Sequence, residues 1–550
     1  MKITFHGAAG CVTGSSTLVE HDGFTLLVDI GMAQGNDERR IGNDLAFKAG
    51  SVDAVILTHS HIDHSGRLPL LVKEGFKGTV YSTEATEKLC SIMLADSANI
   101  QESEAEWKNR KRRRSGEKPV SPLYTSKDAR DAMHLFNHVQ YNERVYLQPG
   151  LSFELYDAGH LLGSASVRIF YMEEGKEKSI VFSGDIGNTA QPMIKDPVPI
   201  GDADYVVMES TYGDRNHKDG VIDERSSIMM KAEKLASIID RTFRRGGNVV
   251  VPSFAVGRTQ EILYLLRIII DRKMLGYDVP VFLDSPLSEK ATRVFSECLR
   301  KDYFDKEAME MIKRGENPVS FPSLVAIEDA EGSKALNARK ESAVIISSSG
   351  MCEAGRIRHH LKHNLWRRES TVLFVGYQAE GTLGRLLVDG ADHVTLFGEQ
   401  IEVHAEIEIL EGVSGHADQA GLIRWIEGFA HKPVHVFVNH GEKSVARYFA
   451  YKLHELGYSA NAPDILSSYD LGKDALPEAE SIRLEERTEH DLSAGLSFLE
   501  NKKNSLENLI ALLEKAAEEE SDSRKKRKLA DDIARLGSDL EFLAMKWRRK

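Results

Sequence analysis

Cysteine is scarce. Only Cys11, Cys90, Cys298 and Cys352 occur in 550 residues, far apart and with no Cys-x-x-Cys spacing. That excludes a disulfide framework and a cysteine zinc finger. No apolar run approaches the ~18 residues of a membrane-spanning helix. The opening MKITFHGAAGCVTGSS has neither the basic nor the apolar region of a secretory signal, so the expected compartment is the cytoplasm and no membrane partner is expected. An excess of positive charge is missing too: 71 Lys and Arg against 84 Asp and Glu leave −13. The overall field therefore does not steer nucleic acid, and any such contact must rest on local positive charge. No repeat of fixed period occurs.

What is present reads as an ordinary globular chain, 41% hydrophobic and 28% charged. Its length suggests roughly three or four domain-sized units, or two large ones. Short β runs open it, at Lys2–His6, Phe24–Asp29 and Val52–Leu57. Helical spacing runs from about Glu84 to Gln101, and the basic run Lys108–Arg114 after it reads as an exposed loop. From about 209 to 395 the rhythm changes. Nearly continuous apolar runs (Asn248–Val251, Val279–Asp284, Ala343–Ser347) alternate with helical segments near 222–245, 258–274 and 287–300. That alternation predicts a parallel α/β sheet. A helix at 416–429, a strand at 434–438 and a helix at 443–456 follow. Beyond about 465, charge blocks and leucines at helical spacing predict two helices, about 487–519 and 523–547. They are expected to form a self-association arm, with a homodimer as its product.

The densest chemical signal is Thr58-His59-Ser60-His61-Ile62-Asp63-His64, directly after the apolar run Val52–Leu57. Three imidazoles and a carboxylate in six positions need something to satisfy them. At a strand end, His59 and His61 can turn to one cation, and Asp63 and His64 to a second. Imidazole with carboxylate suits zinc. Further donors stand at three other strand ends: His160 after Asp157, Asp185 after Ser183, and His440 after Val438. Each alone is common turn chemistry. Together they complete two coordination shells, with Asp185 able to bridge.

These motifs resemble the metallo-β-lactamase superfamily: His59-x-His61-x-Asp63-His64, with His160 and Asp185 downstream and Asp29 upstream. Glu209-Ser210-Thr211-Tyr212, Ser414-Gly415-His416-Ala417-Asp418 and His440 resemble motifs A, B and C of its β-CASP ribonuclease branch. Ser347-Ser348-Ser349-Gly350 and Gly381-Thr382-Leu383-Gly384-Arg385 resemble that branch's insert. The resemblance covers about residues 1–463. It implies an α/β fold: a metallo-β-lactamase αββα sandwich from 1–208 and 396–463, an inserted α/β β-CASP domain at 209–395, and a helical extension at 464–550.

The resemblance also implies two zinc ions. One would take His59, His61, His160 and Asp185; the other Asp63, His64, Asp185 and His440. Asp29 would stand behind them and orient a ligand histidine. The ions would prepare a hydroxide for attack on a phosphodiester. His416 would act as general acid, with Glu209 on its other nitrogen. Asp418 is read instead as the cap of the helix beginning near Gln419. Histidine at motif C goes with the RNA-processing members of that branch. The function so implied is a zinc-dependent ribonuclease on single-stranded RNA, endonucleolytic by preference. A 5′–3′ exoribonuclease and a small-molecule metallo-hydrolase are the alternatives. Ser347, Ser348, Ser349, Gly350, Arg385, Arg356 and Arg258 offer hydroxyls, backbone N–H groups and cations suited to phosphate.

Overall fold

A computed structural model describes residues 1–472 and 480–481, apart from 217–223, 300, 377, 380, 411 and 413. The helices expected at 487–519 and 523–547 lie outside the described residues.

Two sheets face each other. The first runs, in spatial order, Glu480–Ser481, Ser467–Asp470, Lys2–Gly7, Ser16–His21, Phe24–Val28, Ala54–Ile56, Thr79–Ser82 and Phe136–His138. The second runs Ala460–Asn461, His435–Val438, Tyr205–Met208, Lys176–Phe182, Ala165–Glu173, Leu151–Asp157 and Val145–Gln148. Strand side chains alternate between faces, and here both faces are apolar because both are covered. Leu26, Val28 and Ile56 join Ile180, Phe182, Val207 and Phe437 in the core between the sheets. Leu27 and Val55 point the other way, onto Leu68, Leu71 and Leu94 of the helices behind the first sheet. Val181, Val206, Met208, Val436 and Val438 meet Leu422, Ile426 and Phe449 behind the second. The result is an αββα sandwich.

The third sheet belongs to the segment between the sandwich strands Tyr205–Met208 and His435–Val438. Its order is Leu324–Ala326, Val281–Leu283, Val344–Ser347, Val249–Pro252, Thr371–Phe374 and Glu406–Ile409, all parallel. Helices Glu224–Arg244 and Arg258–Asp271 pack with it. This is the α/β rhythm read from the sequence. Its last strand, however, runs beyond the residue-395 limit expected for the insert. Glu406–Ile409 has alternating charge, and pairing with Thr371–Phe374 recruits it.

The insert is tied to the sandwich along one side. Met193 and Asp305 exchange two hydrogen bonds (2.6 and 2.9 Å), and Lys195–Asp302, Lys301–Glu84 and Lys88–Glu297 pair beside them.

Two expectations are corrected. The basic run 108–114 is no loop: helix Glu84–Ser115 continues through it and ends at Gly116, which has a left-handed conformation. Glu104–Lys108 and Glu106–Arg110 pair one turn apart, and arginines at the C-terminal end complement the helix dipole. The segment after 464 does not begin as a helical extension. Ser467–Asp470 pairs antiparallel with Lys2–Gly7, and Thr4 and Ser468 share a 2.7 Å hydroxyl contact.

Candidate metal centre

Six residues of the site follow the C-terminal ends of sandwich strands. Asp29 follows Phe24–Val28, His59 follows Ala54–Ile56, and His160 follows Leu151–Asp157. Asp185 follows Lys176–Phe182, Glu209 follows Tyr205–Met208, and His440 follows His435–Val438. The neighbouring strands that carry Asp185, Glu209 and His440 are parallel, so their ends share one rim. Asp29 and His440 take left-handed conformations, φ 61° and 47°. Such φ values are uncommon for non-glycine residues and cluster where function demands a particular side-chain direction.

Close backbone approach shapes the rim. A Cβ on Gly31 would lie 1.5 Å from the carbonyl oxygen of Asp63. Met32 N–H bonds to Ile62 O and Ile30 N–H to His64 O, so the two segments are laced together. Gly31→Ala is therefore expected to cost about 3 kcal/mol through forced backbone movement. Denaturant unfolding of the two proteins measures it. An unchanged midpoint would mean that the loops yield without cost.

The structure brings the donors into two groups, each with its ligand atoms within 4.8 Å of one another: His59, His61, His160 and Asp185, then Asp63, His64 and His440. In the first, His59 Nε2 and His61 Nδ1 are 3.1 Å apart, and His160 Nε2 and His61 Nδ1 3.3 Å. Asp185 Oδ2 lies 3.4 Å from His59 Nε2 and 3.6 Å from His160 Nε2. In the second, His64 Nε2 and His440 Nε2 are 3.0 Å apart. Asp185 Oδ1 lies 3.1 Å from His64 Nε2 and 3.6 Å from His440 Nε2, and Asp63 Oδ2 lies 3.8 Å from His440 Nε2. Asp185 therefore turns one oxygen to each group.

These spacings fit metal. A tetrahedral ion with bonds of about 2.0–2.1 Å holds its ligand atoms about 3.3 Å apart. Asp185 Oδ1 is buried and has no hydrogen-bond partner, an arrangement that costs free energy unless a cation meets it. Imidazole and carboxylate are the ligand set zinc prefers.

Tautomers are set from behind. His64 Nδ1 lies 2.7 Å from Asp29 Oδ2, and Asp29 also accepts from the N–H and hydroxyl of Thr58. His160 Nδ1 donates to Gly415 O at 2.9 Å, and His440 Nδ1 meets the Thr211 hydroxyl at 3.2 Å. Each leaves Nε2 for the site. Burial, with the neighbouring imidazoles, pushes His59 and His160 down and His61 to about 3. Those rings are neutral, as ligands must be. Burial also opposes charge on His64, but Asp185 and Asp29 outweigh it and raise its pKa well above the usual value. The Asp185 carboxyl stays well below its usual range despite burial, because His440, His64 and His59 surround it.

His416 stands beside these groups. Its Nδ1 is 3.1 Å from Glu209 Oε2, and its Nε2 is 3.9 Å from Asp185 Oδ2. Glu209 is buried and is held by the Ile186 N–H. Burial resists protonation of His416, yet Glu209 and Asp185 push its pKa up to about 9. Asp418 caps the helix Gln419–Glu427 through the Gly421 N–H.

The residues expected at substrate separate. Ser347 is buried and its hydroxyl donates to Asp284 O. Arg356 is committed to Asp284 Oδ1 at 2.6 Å and to the carbonyls of Ile327 and Glu328. Both brace the loop from within. Asp284 also holds His360 Nε2 at 2.6 Å and the Ser333 hydroxyl. This cluster, assembled from four segments, left no local pattern to read. Ser348 and Ser349 stay half-buried at the loop's edge. Arg385 pairs with Asp389 one turn along, and Arg258 with the buried Glu261. Gln191, whose amide donates to Gly415 O, was missed, because a lone glutamine in a loop carries no signal.

Fold and donor set together define a metallo-hydrolase of the metallo-β-lactamase type. Family models agree: the metallo-beta-lactamase superfamily matches residues 9–218, the Beta-Casp domain 259–387, and the Zn-dependent metallo-hydrolase RNA specificity domain 400–463. A ribonuclease of Thermus thermophilus is 36% identical over 443 residues, which is 80% of this chain and 94% of that one. Transcription termination factor FttA of Pyrococcus abyssi is 30% identical over 490 residues, 86% of this chain and 71% of that one. An RNase J-like protein of Methanocaldococcus jannaschii is 30% identical over 449 residues, 82% and 94%. The chain belongs to the β-CASP ribonuclease branch of the metallo-β-lactamase superfamily. It is a metal-dependent hydrolase of that family. No helix among the described residues is long and apolar enough to cross a membrane.

Proposed function

We propose that the protein is a cytoplasmic, zinc-dependent endoribonuclease acting on single-stranded RNA. The observation that carries this reading is Asp185, with one carboxylate oxygen facing each donor group and His416–Glu209 alongside. One zinc would be held by His59, His61, His160 and Asp185, and the other by Asp63, His64, Asp185 and His440. When bound, the ions supply an activated water at neutral pH and offset charge on the phosphate.

The chain's own groups do the rest. Asp185 fixes the spacing of the two donor sets. Asp29 locks the tautomer of His64, and Gly415 O that of His160. His416 carries a proton on Nε2 and delivers it to the leaving 3′ oxygen. Glu209 holds the opposite nitrogen and favours the charged ring.

The test is cleavage of RNA and DNA of one sequence, each labelled at the 5′ or the 3′ end. Internal products from RNA, lost on chelation and restored by zinc, are expected, with a fall of about 10³-fold or more in rate. Mononucleotides from the 5′ end alone would replace the endonuclease with a 5′–3′ exonuclease. Cleavage of neither polymer by the metal-loaded protein would turn the search to small-molecule esters.

A further inference from the structure

Phe254 is a large apolar residue left 44% exposed, and its surroundings hold it there. It follows the third-sheet strand Val249–Pro252, at the carboxyl edge where open α/β sheets receive ligands. Its carbonyl accepts from the Thr259 hydroxyl at 2.7 Å, the Thr259 N–H at 3.3 Å and the Ser253 hydroxyl at 3.3 Å. Ser253 N–H in turn bonds to Ser347 O at 3.0 Å. One edge of the ring rests on Gly350, where an added Cβ would lie 3.0 Å from Phe254 Cδ2. The backbone of Phe254 is thus held, and its ring lies beside Gly350, next in sequence to the half-buried Ser348 and Ser349.

The same loop reaches the metal centre. A Cβ on Gly257 would lie 2.9 Å from Leu161, next to His160. A Cβ on Gly415 would meet Arg258 Nη2 and His160 Cε1, both at 3.2 Å. The six residues 253–258 therefore run from the serine turn to the rim beside His160 and His416. They carry an exposed aromatic ring at one end and a guanidinium at the other.

We propose that Phe254 is a base-stacking site: the base of a nucleotide close to the scissile phosphate lies on its open face. The proposal rests on the ribonuclease reading above. An aromatic ring left 44% exposed at the carboxyl edge of the sheet suits single-stranded nucleic acid, because every base can stack on it without sequence readout. A buried scaffold role would leave no ring surface exposed. The ring orders a flexible strand so that the phosphate next to it meets His416 and the donor groups.

Two readouts test it. The first is binding of a fluorescent single-stranded RNA in chelator, where no cleavage occurs. The second is single-turnover cleavage with zinc, using RNAs with one abasic site stepped across the cleavage position. Phe254→Ala and Phe254→Leu are each expected to weaken both by roughly 5- to 150-fold, the range of one base–aromatic stack. Phe254→Trp is expected to restore them. Leucine keeps the apolar bulk, so a merely structural role would survive it. At one abasic position wild type and Phe254→Ala should become equal. RNA binding that depends on Phe254, in a protein that cleaves no RNA, would remove the ribonuclease reading alone. Cleavage indifferent to Phe254→Ala, or a deficit that persists on every abasic RNA, would overturn the stacking site. Absence of both binding and cleavage would overturn both.

Discussion

Asp185→Asn is expected to lower metal content, from at least one of the two positions, and to lower RNA cleavage by about 10³-fold or more. The argument is geometric. Each oxygen of Asp185 faces a different donor group, at 3.4 Å from His59 Nε2 and 3.1 Å from His64 Nε2. An amide has one acceptor oxygen, so it can serve one group and presents an N–H₂ to the other. It also withdraws the negative charge that offsets two cations in a buried site. Several kcal/mol of charge stabilisation in the transition state depend on those cations. The size of the amide is nearly that of the acid, so the fold should persist. Metal content by mass spectrometry and single-turnover cleavage are the two measurements. Asp29→Asn is the graded control. It stands behind His64 rather than in the donor groups, and such partners typically contribute 10- to 100-fold, roughly. Full metal occupancy in Asp185→Asn would sink the bridging role.

The donor clusters were legible in the sequence for a physical reason. His59, His61, Asp63 and His64 lie within six residues, and that density has no use in a core or on a surface. His160, Asp185 and His440 were readable only as members of a set, since each alone is an ordinary strand-end residue. The strand-end register puts them there: the alternation that buries Val181 and Val206 also aims the rim residues after each strand at one place. Elsewhere long-range pairing decided the outcome. Glu406–Ile409 alternates charged and apolar residues as a strand does, and its pairing with Thr371–Phe374 places it in the third sheet. Ser467–Asp470 carries a single core residue, Tyr469, among serines and an aspartate, and pairs with the edge of Lys2–Gly7. Arg356 pairs with Asp284, 72 residues away, and nothing local announces the pair. Helix Glu84–Ser115 ran on through the basic run because no glycine or proline interrupts it before Gly116.

His416→Ala is expected to slow cleavage by about 10²–10⁴-fold, the usual worth of a placed general acid. Metal content should be unchanged, because His416 completes neither donor group. Its Nδ1 is occupied by Glu209, which leaves Nε2 as the nitrogen that can give a proton towards the site. Glu209 and Asp185 both favour the protonated ring. A loss of rate alone would not separate proton donation from simple electrostatic support of the phosphate. The leaving group does. An RNA with sulphur in place of the 3′ leaving oxygen at one linkage needs no proton to depart, since a thiol is far more acidic than an alcohol. On that linkage the deficit of His416→Ala should shrink towards wild type. Glu209→Gln should show the same selectivity with a smaller loss, because the amide still accepts from Nδ1–H but no longer favours the charged ring. An equal deficit on the oxygen and sulphur linkages would mean that His416 holds the phosphate and that the proton comes from elsewhere.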